Sequence, residues 1–151
     1  MTTPPRRSLA ERAQAPGARP TPLSDHPPRA VRADARDFPD EVTRAADLAL
    51  ESKGHGVLIL DLRGISTATD YFVLASGTSD VQVRAIAEHV ADELKKENVR
   101  PAHVEGLSGG RWVLLDYIDF VVHVFHPQSR DFYQLENLWG DAPRWEPAQE
   151  P

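Results

Sequence analysis

From Asp40 onward, apolar positions recur along the chain with two different periods. Over Asp40 to Lys53, Val42, Ala45, Ala46 and Ala49 repeat at helical spacing, Asp40 and Glu41 sit where a helix dipole favours acids, and Gly54 follows as a stop. A first helix is predicted there. Val57 to Leu62 is an apolar run carrying Asp61, and Tyr71 to Ala75 is another; both read as strands buried on two faces, joined by a polar loop over 63–70. Ser79 precedes Gln82 at capping-box spacing, after which Val83, Ile86, Ala87, Val90 and Leu94 mark one face of a long helix ending near Asn98. Ala102 to Glu105, Arg111 to Asp116 and Phe120 to Phe125 read as three further strands, connected by a turn over 106–110 and a tight Tyr117-Ile118 link. A third helix is predicted from about Ser129 to Trp139, with Phe132, Leu135 and Trp139 on its apolar face and Gly140 at its end. This order indicates an α/β fold, a five-stranded mixed sheet flanked by helices.

Composition divides the 151 residues unevenly. Residues 1–37 are rich in Pro and Arg and hold few large apolar side chains, so a disordered tail is expected there, with the α/β domain over 38–142 and a flexible C-terminal tail over 143–151. The Arg-rich start has the make-up of an organelle transit peptide, but its prolines would break the helix such peptides form; a flexible tail in weak contact with rRNA is the plainer expectation. Net charge is −6, yet residues 1–36 carry seven Arg against three acids (+4), leaving ten basic and twenty acidic residues (−10) for the remainder. An acidic domain is a poor phosphate binder and a good match for a basic protein surface. The absence of cysteine excludes disulfides and thiolate metal sites, and fits a reducing, cytoplasmic setting. Runs such as Val57 to Leu60 and Phe120 to Phe125 are far too short to span a bilayer, so a soluble protein is expected.

Three stretches, LDLRGISTATDYFVLASGTSDVQVRAIAEHV, VEGLSGGRWVLLDYIDFVVHVF and SRDFYQLENLWGDA, lie in order between about Asp40 and Ala142. Together they resemble the Iojap/RsfS family of ribosomal silencing factors. The resemblance implies a compact α/β fold related in topology to nucleotidyltransferases. It also implies binding to the large ribosomal subunit through ribosomal protein uL14, the fourteenth of its series, on the intersubunit face. Occupying that face would exclude the small subunit and repress translation when nutrients are scarce. One departure stands out: family members often have Gly between the two aspartates of the last hairpin, whereas this chain reads Asp116-Tyr117-Ile118-Asp119. A left-handed backbone at 118 would strain a β-branched Ile, so a longer or different turn is expected.

Candidate contacts follow from strand alternation and from the family pattern. Trp112, Leu114 and Asp116 share one strand face while Val113 and Leu115 take the other, so the first set forms a mixed apolar and acidic patch if helices leave it uncovered. Trp112 is the expected anchor, because Trp is enriched among interface hot spots. Around the turn, Tyr117 and Asp119 are placed on the partner; Asp116 and Asp119 either cap the turn or meet Lys and Arg of the ribosomal protein. Asp70, in the family-like TDYF segment, and Glu105, beside Gly106, join this set. Arg130 and Tyr133, one helical step apart, are further candidates, Arg130 more naturally pairing within the chain. His123 reads as a hydrogen-bonded structural histidine, since His126 falls on the opposite strand face and no third metal ligand is apparent. No cofactor is expected. The enzyme alternative, a nucleotidyltransferase using the Ser76 to Ser79 loop, requires carboxylates paired on one strand, and Asp61, Asp116 and Asp119 do not supply that spacing. A homodimer built on the Trp112 face and an adaptor in large-subunit biogenesis are the remaining alternatives.

Overall fold

The computed structural model describes residues 34–133 and 135–147. The Pro/Arg-rich segment 1–33 lies outside the described residues. The strands are β1 (His55–Asp61), β2 (Tyr71–Ser76), β3 (His103–Glu105), β4 (Trp112–Asp116), β5 (Phe120–Phe125) and β6 (Arg144–Trp145). They form one mixed sheet in the order β3-β4-β5-β2-β1-β6, in which only β2 and β5 run parallel. The helices are α1 (Asp40–Glu51), α2 (Asp80–Lys96), α3 (Pro127–Tyr133) and α4 (Leu135–Leu138). The described residues on both sides of position 134, which lies outside them, are helical, in the stretch where the third helix is expected.

The sheet has six strands where five are expected. The sixth is Arg144–Trp145, inside the stretch read as a flexible tail, and two residues are too few to show an alternating pattern. It forms because β1 would otherwise present an unpaired edge: Ile59 and Leu60 pair with Trp145 and Arg144, and Asp61 N donates to Pro143 O at 2.8 Å. Trp145 in turn packs near Phe38, whose ring meets Tyr71 edge-on at 5.7 Å. At the N-terminal side, Asp34 and Asp37 cap a single 3₁₀ turn over Ala35–Asp37, within the stretch expected to be disordered.

Strand alternation sorts the core into two layers. Val57, Ile59, Val73, Ala75, Val113, Leu115, Val122 and Val124 face α1 and α2, whose buried positions are those the periodicity marks, with Leu48 of α1 in addition. On the other face Leu58, Leu60, Phe72, Leu74, Leu114, Val121 and Phe125 pack with Trp139 and Ala142 from the C-terminal segment. Central strands β2 and β5 are buried at every residue, which explains their continuous apolar runs. Helix α2 starts where Ser79 Oγ accepts from Gln82 N at 3.1 Å; Gln82 Oε1 accepts from Thr78 N and Thr78 Oγ1, one residue beyond the cap. Between β3 and β4 the backbone turns at Gly106 with φ +79°, and a Cβ there would run into the carbonyl oxygen of Trp112.

Candidate functional site

The β4–β5 hairpin closes more tightly than expected. Tyr117 N donates to Phe120 O, and Asp119 N donates to Tyr117 O, both at 2.9 Å, so Ile118 is the central residue of a three-residue γ-turn. Its φ is +73°, the left-handed region that a β-branched side chain resists. Of the longer or different turn expected, the structure has a different one: the turn stays short and carries the strain. Surrounding groups over-determine it. Asp116 Oδ1 accepts from Ile118 N at 2.8 Å, Thr69 Oγ1 donates to Ile118 O at 2.9 Å, and Asp70 N and Tyr71 N donate to Asp119 O at 3.0 and 3.2 Å.

These bonds decide what the acids near the turn do. Asp116 is nearly buried and spends one carboxylate oxygen on the turn, the capping role anticipated for it. Asp70 and Asp119 have exposed side chains and flank Ile118, itself 58% exposed. Tyr117, expected on the partner surface, lies instead in the core, stacked on Phe120 at 4.6 Å, where burial pushes its phenol up to about 12. Asp61, at the same end of the sheet, is bound by Arg63 at 2.8 Å. Burial raises the Asp61 carboxyl, but the side-chain and backbone bonds from Arg63 together outweigh it and hold the group below the usual carboxylate value.

Trp112 sits at the opposite end of β4, about 13 Å from Asp116 at ~3.3 Å per residue. Its half-exposed indole lies 5.1 Å from the Phe125 ring, and its Nε1 donates to His123 Nδ1 at 2.9 Å. His123 is fully buried, in edge-on contact with Phe72 at 4.4 Å, and burial lowers its pKa to about 3, so the ring is neutral. It is the hydrogen-bonded structural histidine the sequence suggests, with the unforeseen role of holding the tryptophan. Hairpin register contains that signal: Leu114 opposes His123 and Trp112 opposes Phe125, making Trp112 and His123 diagonal neighbours on one face.

The other predicted residues separate. Leu114 shares the face of Trp112 but is covered, at 1% exposure. Glu105 is half-buried on edge strand β3, 3.1 Å from His103 Nε2. Arg130 points inward: Nη1 donates to Ser76 Oγ at 2.8 Å and to His55 O at 3.4 Å, lying so close over Gly56 that a Cβ there would meet the guanidinium at 2.7 Å. The Tyr133 side chain lies outside the described residues, as do those of Phe132 and Leu135. The structure lays these residues along β4 as an interrupted strip, with half-exposed Trp112 at one end, buried Leu114 and Asp116 between, and at the other end the turn where Asp70, Ile118 and Asp119 are exposed. The continuous apolar and acidic patch expected of Trp112, Leu114 and Asp116 does not form, because the middle of the strand is covered. Sequence reasoning missed Thr69 and the exposure of Ile118.

A family model described as "Ribosomal silencing factor during starvation" matches residues 35–151. The chain belongs to the ribosomal silencing factor family. Among relatives of this family member, the ribosomal silencing factor RsfS of Bacillus subtilis is 44% identical over 99 residues, spanning 66% of this chain and 84% of that protein. The chloroplastic protein Iojap of Zea mays is 34% identical over 97 residues, spanning 64% of this chain and 42% of that one. A crystal structure of a Chromobacterium violaceum protein superposes with a TM-score of 0.65 at 32% identity, covering 79% of this chain and 91% of that one. In this chain the match begins at the capped turn before Phe38 and includes edge strand β6, so both lie within the family match.

Proposed function

We propose that this protein represses translation by seating on the intersubunit face of the large ribosomal subunit, against ribosomal protein uL14, and thereby excluding the small subunit. Family membership is the observation that carries this reading toward the ribosome. The two exposed ends of the β4 strip suit it: an aromatic anchor at Trp112, preorganised by His123, and an acidic end at Asp70 and Asp119 that complements a basic protein. The action is occupancy without turnover, whatever topological kinship with nucleotidyltransferases the resemblance implies. Asp61 on β1 and Asp116 on β4 are three inter-strand spacings apart, about 14 Å at ~4.8 Å each, too far to hold one ion between them. A homodimer using the same strip would compete with the ribosome rather than assist it.

Sedimentation tests the reading. Purified protein should travel with isolated large subunits and not with small ones. Trp112→Ala, provided its circular dichroism is unchanged, should weaken that binding more than Asp70→Asn or Asp119→Asn alone. A folded Trp112→Ala that cosediments as well as the unaltered protein would remove the anchor from the account.

A further inference from the structure

Four large apolar side chains among the described residues are exposed: Val81, Val104, Ile118 and Leu138. Val81, Val104 and Leu138 lie in ordinary helix or strand and need no special account, because isolated apolar side chains are common on protein surfaces. Ile118 differs in its backbone. At φ +73° a β-branched residue is strained, and the side chain belongs to neither buried cluster, so packing within the chain does not offset that strain. Glycine would adopt the same turn freely. The strain is also held in place: the Asp116 carboxylate fixes the amide of Ile118, the Thr69 hydroxyl fixes its carbonyl, and the amides of Asp70 and Tyr71 fix the next carbonyl.

We infer that Ile118 is an apolar contact residue for the ribosomal partner, a fixed knob that enters an apolar depression flanked by Lys or Arg side chains on a protein surface of the large subunit. This rests on the proposed function and adds to it the contact at the acidic end of the strip. The flanking charges define the partner's chemistry: Asp70 and Asp119 are exposed on either side, so the receiving surface is basic at its rim and apolar at its centre. Rigidity favours affinity. A β-branched side chain has few rotamers, and a turn pinned by side chains from β2's approach and from β4 loses little freedom on docking.

The test sets stability against binding. Ile118→Gly in the full chain removes both strain and knob, so its melting temperature should rise by several degrees while its Kd for purified large subunits weakens about tenfold or more, as loss of a buried Ile implies. Ile118→Asn, which tolerates the left-handed region, should behave like Gly, and Ile118→Val should bind within about threefold of the original. An Ile118→Gly protein that melts higher yet binds large subunits with an unchanged Kd overturns the inference. So does one that melts lower, since the strain would then be absent. If the unaltered protein itself fails to bind large subunits, the failure belongs to the proposed function; unaltered binding by the original with no loss in the Gly variant belongs to this inference alone.

Discussion

Trp112 turns its indole N–H inward to Nδ1 of His123, so a partner meets the ring and not its polar edge. Because Nδ1 accepts, the His123 proton resides on Nε2, a buried atom with no hydrogen-bond partner among the described residues. Protonating Nδ1 would break the bond to Trp112, and burial prevents this by lowering the pKa to about 3 from an ordinary 6.5. The unfolded chain takes up that proton below pH ~6.5 while the folded one does not, so stability is lost as pH falls from there toward 3. His123→Gln, with no titrating ring and an amide oxygen that can still accept from Trp112, should have a flatter melting temperature between pH 6.5 and 3.5 than the original protein. Equal slopes would show that other groups dominate acid unfolding. At this scale the sequence reads polarity well and direction less well: a histidine inside an apolar strand signals an internal partner, but only the hairpin register names Trp112. Tyr117 shows the limit. Beside a turn its side chain can take either face, and stacking on Phe120 sends it into the core.

Helix α2 and the central strands are legible in the sequence because their burial is periodic or complete over five residues or more. The N-cap of α2 is a local signal as well, and Ser79→Ala should lower stability by about 1 kcal/mol in chemical denaturation, with little change in ribosome binding because Ser79 lies outside the β4 strip. The β3–β4 connection depends instead on one left-handed glycine. Gly106→Ala places a methyl against the Trp112 carbonyl and should cost more than about 1–3 kcal/mol, read as a marked fall in melting temperature, with edge strand β3 shifted from its partner β4. Strand β6 is not legible, because a two-residue strand exists only through its neighbours: β1 offers the edge, and Phe38 stands near Trp145. The helical spacing of Phe132, Leu135 and Trp139 predicts a third helix from about Ser129 to Trp139, and the described residues there are helical over Pro127–Tyr133 and Leu135–Leu138.

For the whole molecule, charge and topology favour the same mode of action. The domain beyond residue 36 carries −10, and the −6 of the full chain hides this because the N-terminal segment is +4. A surface of that sign approaches basic protein faster than RNA, and the approach weakens with salt. The sheet places the strip beside edge strand β3, at the margin of the domain, where one face can lie on a large partner without unfolding the core. Fold class and acidic balance are legible in the residues themselves. The closeness of Ile118 to Asp70 is not, since it depends on a parallel β2–β5 pair joining segments 49 residues apart. The central claim is exclusion of the small subunit, and the most direct measurement adds purified protein to separated ribosomal subunits and follows formation of full ribosomes by sedimentation. Subunit joining should fall in proportion to large subunits occupied and recover with Trp112→Ala. Undiminished joining at saturating protein would contradict the account.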